Sequence, residues 1–260
     1  MIADNAYVER GVYGGGSYGF CPEGKTSNIY ITGGTVGGNI GGVNAYISGT
    51  DANGNPVYGA KFDSSIKGGV YGGACQNRGG NVNIYMIGGK VYGGLYGGCN
   101  AAGSISGNVN VEILAGKIGD VSNTANVHGG GYGESASVEG NISLILDKEN
   151  DNTGCAIFGD VYGGGALGKT MSEIGVTMNA GQISGSLYGA GLGETAEAAG
   201  NTYVRMAGGI VHGNVFGGGN AARVLGDASV GISGGEVKNN VYGGGNQAEV
   251  TGKTYVVIGK

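Results

Sequence analysis

The sequence predicts an all-β protein: a parallel β-helix, or β-solenoid, of about nine coils of ~26 residues with three short strands in each. Three observations predict it. Glycine fills 64 of the 260 positions, while apolar residues still make up 40% and proline only two positions. An aromatic residue before Gly-Gly recurs along the whole chain. Between these sites lie short runs whose apolar residues alternate with period two.

The glycine excess has no Gly-X-Y period, which excludes a collagen helix, and the apolar content is enough to fill a core rather than a disordered tract. The aromatic motif falls at Tyr13, Tyr71, Tyr96, Tyr162, Tyr188, Phe216 and Tyr242, with His128 in the same place in NVHGGG and Ile40 in GNIGG as a weaker copy. Successive members are 25 to 34 residues apart, about one short repeat with some longer units. GNVFGGGN and NNVYGGGN, 26 residues apart, are the cleanest pair.

The second signature aligns GNVNIYMIGG (80–89), GNVNVEILAG (107–116), GNISLIL (140–146), GNTYVRMAGG (200–209) and GDASVGISGG (226–235). Val82, Ile84 and Met86, or Val204 and Met206, share one parity, as in a strand with one buried face. The aromatic motif supplies another strand, with Val211, Gly213 and Val215 on one parity. A third falls around Ile105, Val138, Ala198, Val224 and Val250. A single unit cannot bury its apolar face, but stacked units can, giving a rod roughly 43 Å long. Glycine suits the corners because it tolerates positive φ and close backbone approach. Asn81, Asn108, Asn141 and Asn201, continued by Asp227 and Lys253, recur at one corner, where a hydrogen-bonded ladder is expected.

Residues 1–260 read as a single domain lengthened by insertions at 50–65, 119–126 and 147–156. Its ending in mid-repeat, at YVVIGK, is expected of a segment of a longer repeat protein, with signal and anchor elsewhere. Net charge is −5 with no basic cluster, which argues against a nucleic-acid partner. No apolar run approaches the ~20 residues of a membrane helix.

The pattern V-x-G-N-V-Y-G-G-G-N…G-N-x-x-V-x-I-x-G-G, seen at 211–220, 226–235 and 237–246, resembles the glycine-rich repeats of large surface proteins of anaerobic gut bacteria. More broadly it is similar to right-handed parallel β-helix proteins, which include adhesins, autotransporter passengers and polysaccharide lyases. The resemblance implies an extracellular or cell-surface location and a structural or adhesive role. Polysaccharide or host-surface glycan, and neighbouring domains of a parent protein, are the implied partners. Because this fold also hosts enzymes, a polysaccharide lyase or glycoside hydrolase is the alternative. No catalytic motif carries over. Glu134 and Glu194 recur at one repeat position but two coils apart, far for a paired-carboxylate site.

Candidate ligand-binding residues are the aromatic column Tyr71, Tyr96, His128, Tyr162, Tyr188, Phe216 and Tyr242. If Leu187, Val215 and Val241 point inward, these rings point outward and could stack on sugars; the competing reading is a ladder that stabilises adjacent strands. Tyr30, Tyr46, Tyr85, Tyr203 and Tyr255 form a second outward set. The insertions carry Asp51, Asp63, Asp120, Asp147, Glu149 and Asp151, oxygen ligands for a structural Ca²⁺ or merely solvated loop residues. No other cofactor is expected. Cys75 and Cys99 occupy near-matching positions on adjacent coils, within range of a disulfide or a stacked thiol pair, whereas Cys21 and Cys155 are expected to be unpaired. Arg205 and Arg223 read as surface salt-bridge partners. The unpaired strand at the chain's end, through Ile258, is expected either to favour end-to-end self-association or to be covered by neighbouring domains of the parent protein.

Overall fold

A computed structural model describes residues 1–3, 6–16, 22, 24–37, 47–50, 56–58, 68–74, 78–148 and 154–259. Among these residues every regular element is a β-strand and there is no helix. Parallel strands form four columns, the smallest of them a three-stranded sheet. The long strands are Thr26–Ile31, the first part of Asn81–Val91, the first part of Val109–Ile118, Ile142–Leu146, Ile174–Met178, Thr202–Met206, Ala228–Ile232 and Thr254–Ile258. Short strands such as Gln182–Ile183 and Ile210–Val211 follow them across a bend, and both columns belong to one 14-stranded sheet. The third column is an eight-stranded sheet of two-residue strands, from Val12–Tyr13 to Val241–Tyr242. This all-β arrangement is compatible with the expected β-solenoid.

Register follows from the period-two pattern. Ile84, Val111, Leu144, Val176, Val204 and Val230 pair in sequence and all are buried. A one-residue slip would turn such a column to solvent, so the buried face locks each pairing. Each fully buried aliphatic side chain contributes about 1.5–3 kcal/mol. The segment 210–216, expected as one strand, is divided: Ile210–Val211 joins the large sheet and Val215–Phe216 the eight-stranded one. Residues 212–214 bend between them, so both Val211 and Val215 still face the core. The third expected strand is real at Asn100–Ile105, Tyr132–Val138 and Lys169–Thr170, and continues as single bridges through Ala198, Val224 and Val250.

Glycine is required most plainly just after each ring. A Cβ on Gly97, Gly129, Gly163, Gly189 or Gly217 would run into the carbonyl oxygen of the equivalent glycine in the next repeat. The backbones of successive repeats therefore meet there with no room for a side chain. Four residues later the chain turns through left-handed backbone. Position +5 from the ring has positive φ at Ala101, Gly133, Leu167, Gly193, Ala221 and Gln247.

The expected asparagine ladder is present. Oδ1 of Asn81 accepts from the N–H of Asn108, Asn108 from Asn141, Asn141 from Glu173, Asn201 from Asp227, and Asp227 from Lys253. A second ladder, which the sequence reading missed, climbs the corner before the rings: Asn126 to Asp160, Asp160 to Ser186, Ser186 to Asn214, Asn214 to Asn240. Its side chains differ in type but each offers an oxygen at the same height, which residue identity alone concealed.

One expectation about the longer units needs correction. Ile40 lies outside the described residues, and Val12–Tyr13 pairs directly with Val70–Tyr71, so no rung stands between those rings. The insertion at 50–65 therefore belongs to an excursion between Val36 and Val70. That is the bend that 119–126 occupies between Ile118 and Val127, not the one occupied by 147–156. Within the excursion Ile47–Thr50 and Pro56–Tyr58 form an antiparallel pair.

Candidate functional site

The ring column is continuous. Tyr13, Tyr71, Tyr96, His128, Tyr162, Tyr188, Phe216 and Tyr242 stack in order, with centroids 4.7 to 5.1 Å apart and planes within 12° of parallel. The strand spacing sets that interval, since residues paired in parallel strands lie about 4.8 Å apart.

The rings leave the main core, as the parity of Leu187 and Val215 requires, yet they do not reach solvent. Tyr162 is only 1% exposed, and Tyr71, His128, Tyr188 and Phe216 are buried; Tyr96 is intermediate. Only the end rings open, Tyr13 at 38% and Tyr242 at 44%. Of the two readings of the column, an exposed sugar-stacking face fails for the interior rings: most are buried, and Tyr162, Tyr188 and Phe216 form a second, separate apolar cluster. The physical reason lies in the glycines that follow each ring, which let the chain turn back beside it. Leu192 packs on this cluster, and Tyr132 meets Tyr96 edge-on at 5.5 Å. The run of three glycines after Tyr162, Phe216 and Tyr242 was the signal for this return.

Polar groups edge the column. Tyr162 donates its phenol proton to Asp160 Oδ2 over 3.0 Å, while Oδ1 of the same carboxylate accepts from the Ser186 N–H in the ladder. Asn100 Nδ2 donates to the Tyr13 phenol oxygen over 2.9 Å. Burial raises the pKa of Tyr96 to about 12, with the Tyr132 phenol adding to the effect. Tyr162 and Tyr188 are also pushed up, first by burial and then by the charge of Asp160. Burial lowers His128 to about 3, opposed by a backbone hydrogen bond at Gly165, and its Nδ1 has no partner. Tyr96, His128, Tyr162 and Tyr188 are therefore uncharged at neutral pH.

The second tyrosine set is more open. Tyr30 and Tyr255 are exposed and Tyr85 and Tyr203 half-buried, with Tyr30 stacked on Tyr85 at 5.2 Å; Tyr46 lies outside the described residues. Of the acidic candidates for Ca²⁺, Asp51, Asp63, Glu149 and Asp151 lie outside the described residues. Asp120 accepts from the N–H groups of Ser122 and Asn123 at 2.8 Å, closing its own turn. Asp147 Oδ2 accepts from Asn179. Among the described residues no group of three potential metal ligands converges. Cys75 and Cys21 also lie outside them. Cys99 is buried, and Cys155 is a free buried thiol raised to about 12 by burial.

Arg223 forms the expected surface ion pair, with Glu249 at 3.1 Å. Arg205 does not. It lies over the Tyr203 ring, 5.5 Å from the centroid, and among the described residues no carboxylate pairs with it. It borders a surface groove of about 340 Å³ lined by Thr177, Asn179, Ala207, Gly231, Ser233 and Val257, among others. Sequence reasoning passed over this place because its members are 26 to 28 residues apart and only the parallel register brings them together.

No protein-family model, no curated protein and no solved structure matches the chain.

Proposed function

We propose that this chain is a non-catalytic structural segment of an extracellular or cell-surface protein, a parallel β-solenoid whose work is to hold and space other surfaces. The bridge from Ile2 to Ile31 ahead of eight long strands supports a count of nine coils. The observation that carries the reading is the ring column. Eight successive rungs commit their largest polarisable side chains to one another and bury most of them. The asparagine corners likewise direct their side chains to the next repeat. These groups make repeat-to-repeat contacts, the economy of a scaffold in which each unit is stabilised by its neighbours. In the isolated chain, the one-sided pairing of Thr254–Ile258 supports end-to-end association, or cover by a neighbouring domain of a longer protein.

The test has two arms. Antibodies against the folded chain should label intact cells that make the protein; labelling only after permeabilisation overturns the surface reading. The purified chain should release no new reducing ends or unsaturated uronates from a panel of polysaccharides. Turnover of any one of them that survives repurification would make the chain an enzyme.

A further inference from the structure

We propose that the groove beside Arg205 binds a carboxylated sugar within an otherwise neutral oligosaccharide. This goes beyond the scaffold role and stands independently of it.

The groove lies on the outer side of the large sheet. Thr177, Arg205, Gly231 and Val257 are consecutive rungs of one outward row. Asn179, Ala207, Ser233 and Gly259 lie past the end of the same strands, and the two rows flank the depression. Four rungs at about 4.8 Å span roughly 14 Å, the length of two to three sugar units. Ala207, Gly231 and Gly259 keep the floor low. A Cβ at Gly231 would meet nothing within 4 Å, so the space above it is open.

Arg205 is the charged group of this groove and it is held in place. Its guanidinium rests over Tyr203, whose phenol is itself fixed, donating to Glu173 Oε1 at 3.3 Å and accepting from Asn201 Nδ2 at 3.1 Å. Stacking occupies a face of the guanidinium and leaves its N–H edge available. That edge matches a carboxylate in two parallel hydrogen bonds, a fit that a lysine cannot reproduce. Thr177 and Ser233 offer hydroxyls to neighbouring sugar hydroxyls.

The surroundings limit the ligand's charge. The chain carries −5 overall, and Asp147, bonded to Asn179, stands at one end of the groove. A uniformly anionic polymer would meet that carboxylate. A single acidic unit seated at Arg205 avoids it, and the distant charges are screened over about 8 Å at physiological salt.

The experiment is calorimetric or NMR titration of the full chain with three sets of trisaccharide probes. One set carries a central uronic acid, one its methyl ester, and one a central sulfated sugar. The expected result is saturable binding of at least one uronate probe, weakened tenfold or more by esterification and by Arg205→Gln. Gly231→Val, which fills the floor, should abolish it with an unchanged far-UV spectrum. Arg223→Gln, altering the arginine paired with Glu249, should leave it intact. Failure of every uronate probe to bind overturns the proposal, as does equal binding of the ester, indifference to Arg205→Gln, or preference for the sulfated probe. None of these results touches the scaffold reading, which rests on the ring column.

Discussion

His128 lies against Tyr162 with ring centroids 4.7 Å apart and planes 4° from parallel, the shortest spacing in the column. It is a titratable ring doing the work of a tyrosine. A protonated imidazole between two phenol faces would gain a cation–π attraction of up to about 2 kcal/mol. Removing that charge from water costs several kcal/mol, so burial wins and the ring stays neutral. With the folded pKa lowered from 6.5 to about 3, His128's share of stability is complete above pH 6.5 and is lost as pH falls from there towards 3. His128→Tyr should therefore flatten the acid side of the stability profile. The check is the thermal midpoint of both proteins from pH 7 to pH 4. The difference between them should widen as pH falls; a constant offset would refute the assignment.

Gly217→Ala should be severely destabilising, by roughly 3 kcal/mol or more, because the new methyl collides with the Gly243 carbonyl and neither backbone can withdraw without breaking the strand pair. Gly231→Ala, also on a paired strand but facing open space, should be neutral or stabilise by up to ~1 kcal/mol. Urea unfolding of the two variants separates a steric requirement from a general intolerance of side chains. Similar losses for both would mean that the close approach is not what demands glycine.

Thr170 sits in the apolar column formed by Val138, Ala198 and Val224, fully buried, with a hydroxyl that has no partner. Thr170→Val keeps the shape and removes the unpaired polar group, and should raise stability by about 1 kcal/mol. Thr202 is the control. It is equally buried, but its hydroxyl donates to the Gly217 carbonyl at 2.6 Å, so Thr202→Val should destabilise. Opposite signs in denaturant melts are the expected outcome.

Thr254–Ile258 pairs on one side only, and Val256 and Ile258 continue the columns of buried Val230 and half-buried Ile232 into solvent. The isolated 260-residue chain should associate in a concentration-dependent way, and Val256→Lys with Ile258→Lys should suppress it. Light scattering from micromolar to millimolar concentration decides. A wild-type chain that stays monomeric throughout would show that the edge is not a template.

The strands were legible because a half-buried strand must alternate, and Val82–Ile84–Met86 or Val204–Met206 do so without interruption. The Asn81–Asn108–Asn141 ladder was legible because one residue type recurs at one offset. The Asn126–Asp160–Ser186–Asn214 ladder was not, since only the shared acceptor oxygen unites it. Whether the rings were exposed depended on the path of the chain after them. Parity places Phe216 opposite Val215, but nothing in parity says that Leu192 comes back alongside. From sequence, Arg205 reads as a surface salt-bridge partner. Its neighbours Thr177 and Gly231 belong to other repeats, and its rest on Tyr203 is a matter of rotamer.

Six tyrosines of the column are held in parallel at a fixed interval, in a chain that has no tryptophan. Chromophores so placed share their excitations, and the handed twist between neighbours makes the shared absorption optically active. The near-ultraviolet circular dichroism band of this protein should therefore be a collective signal, scaling with the number of rings in unbroken contact. His128 and Phe216 divide it into segments, three tyrosines, then two, then one. The molecule contains its own optical gauge of how many repeats remain stacked, readable without any label.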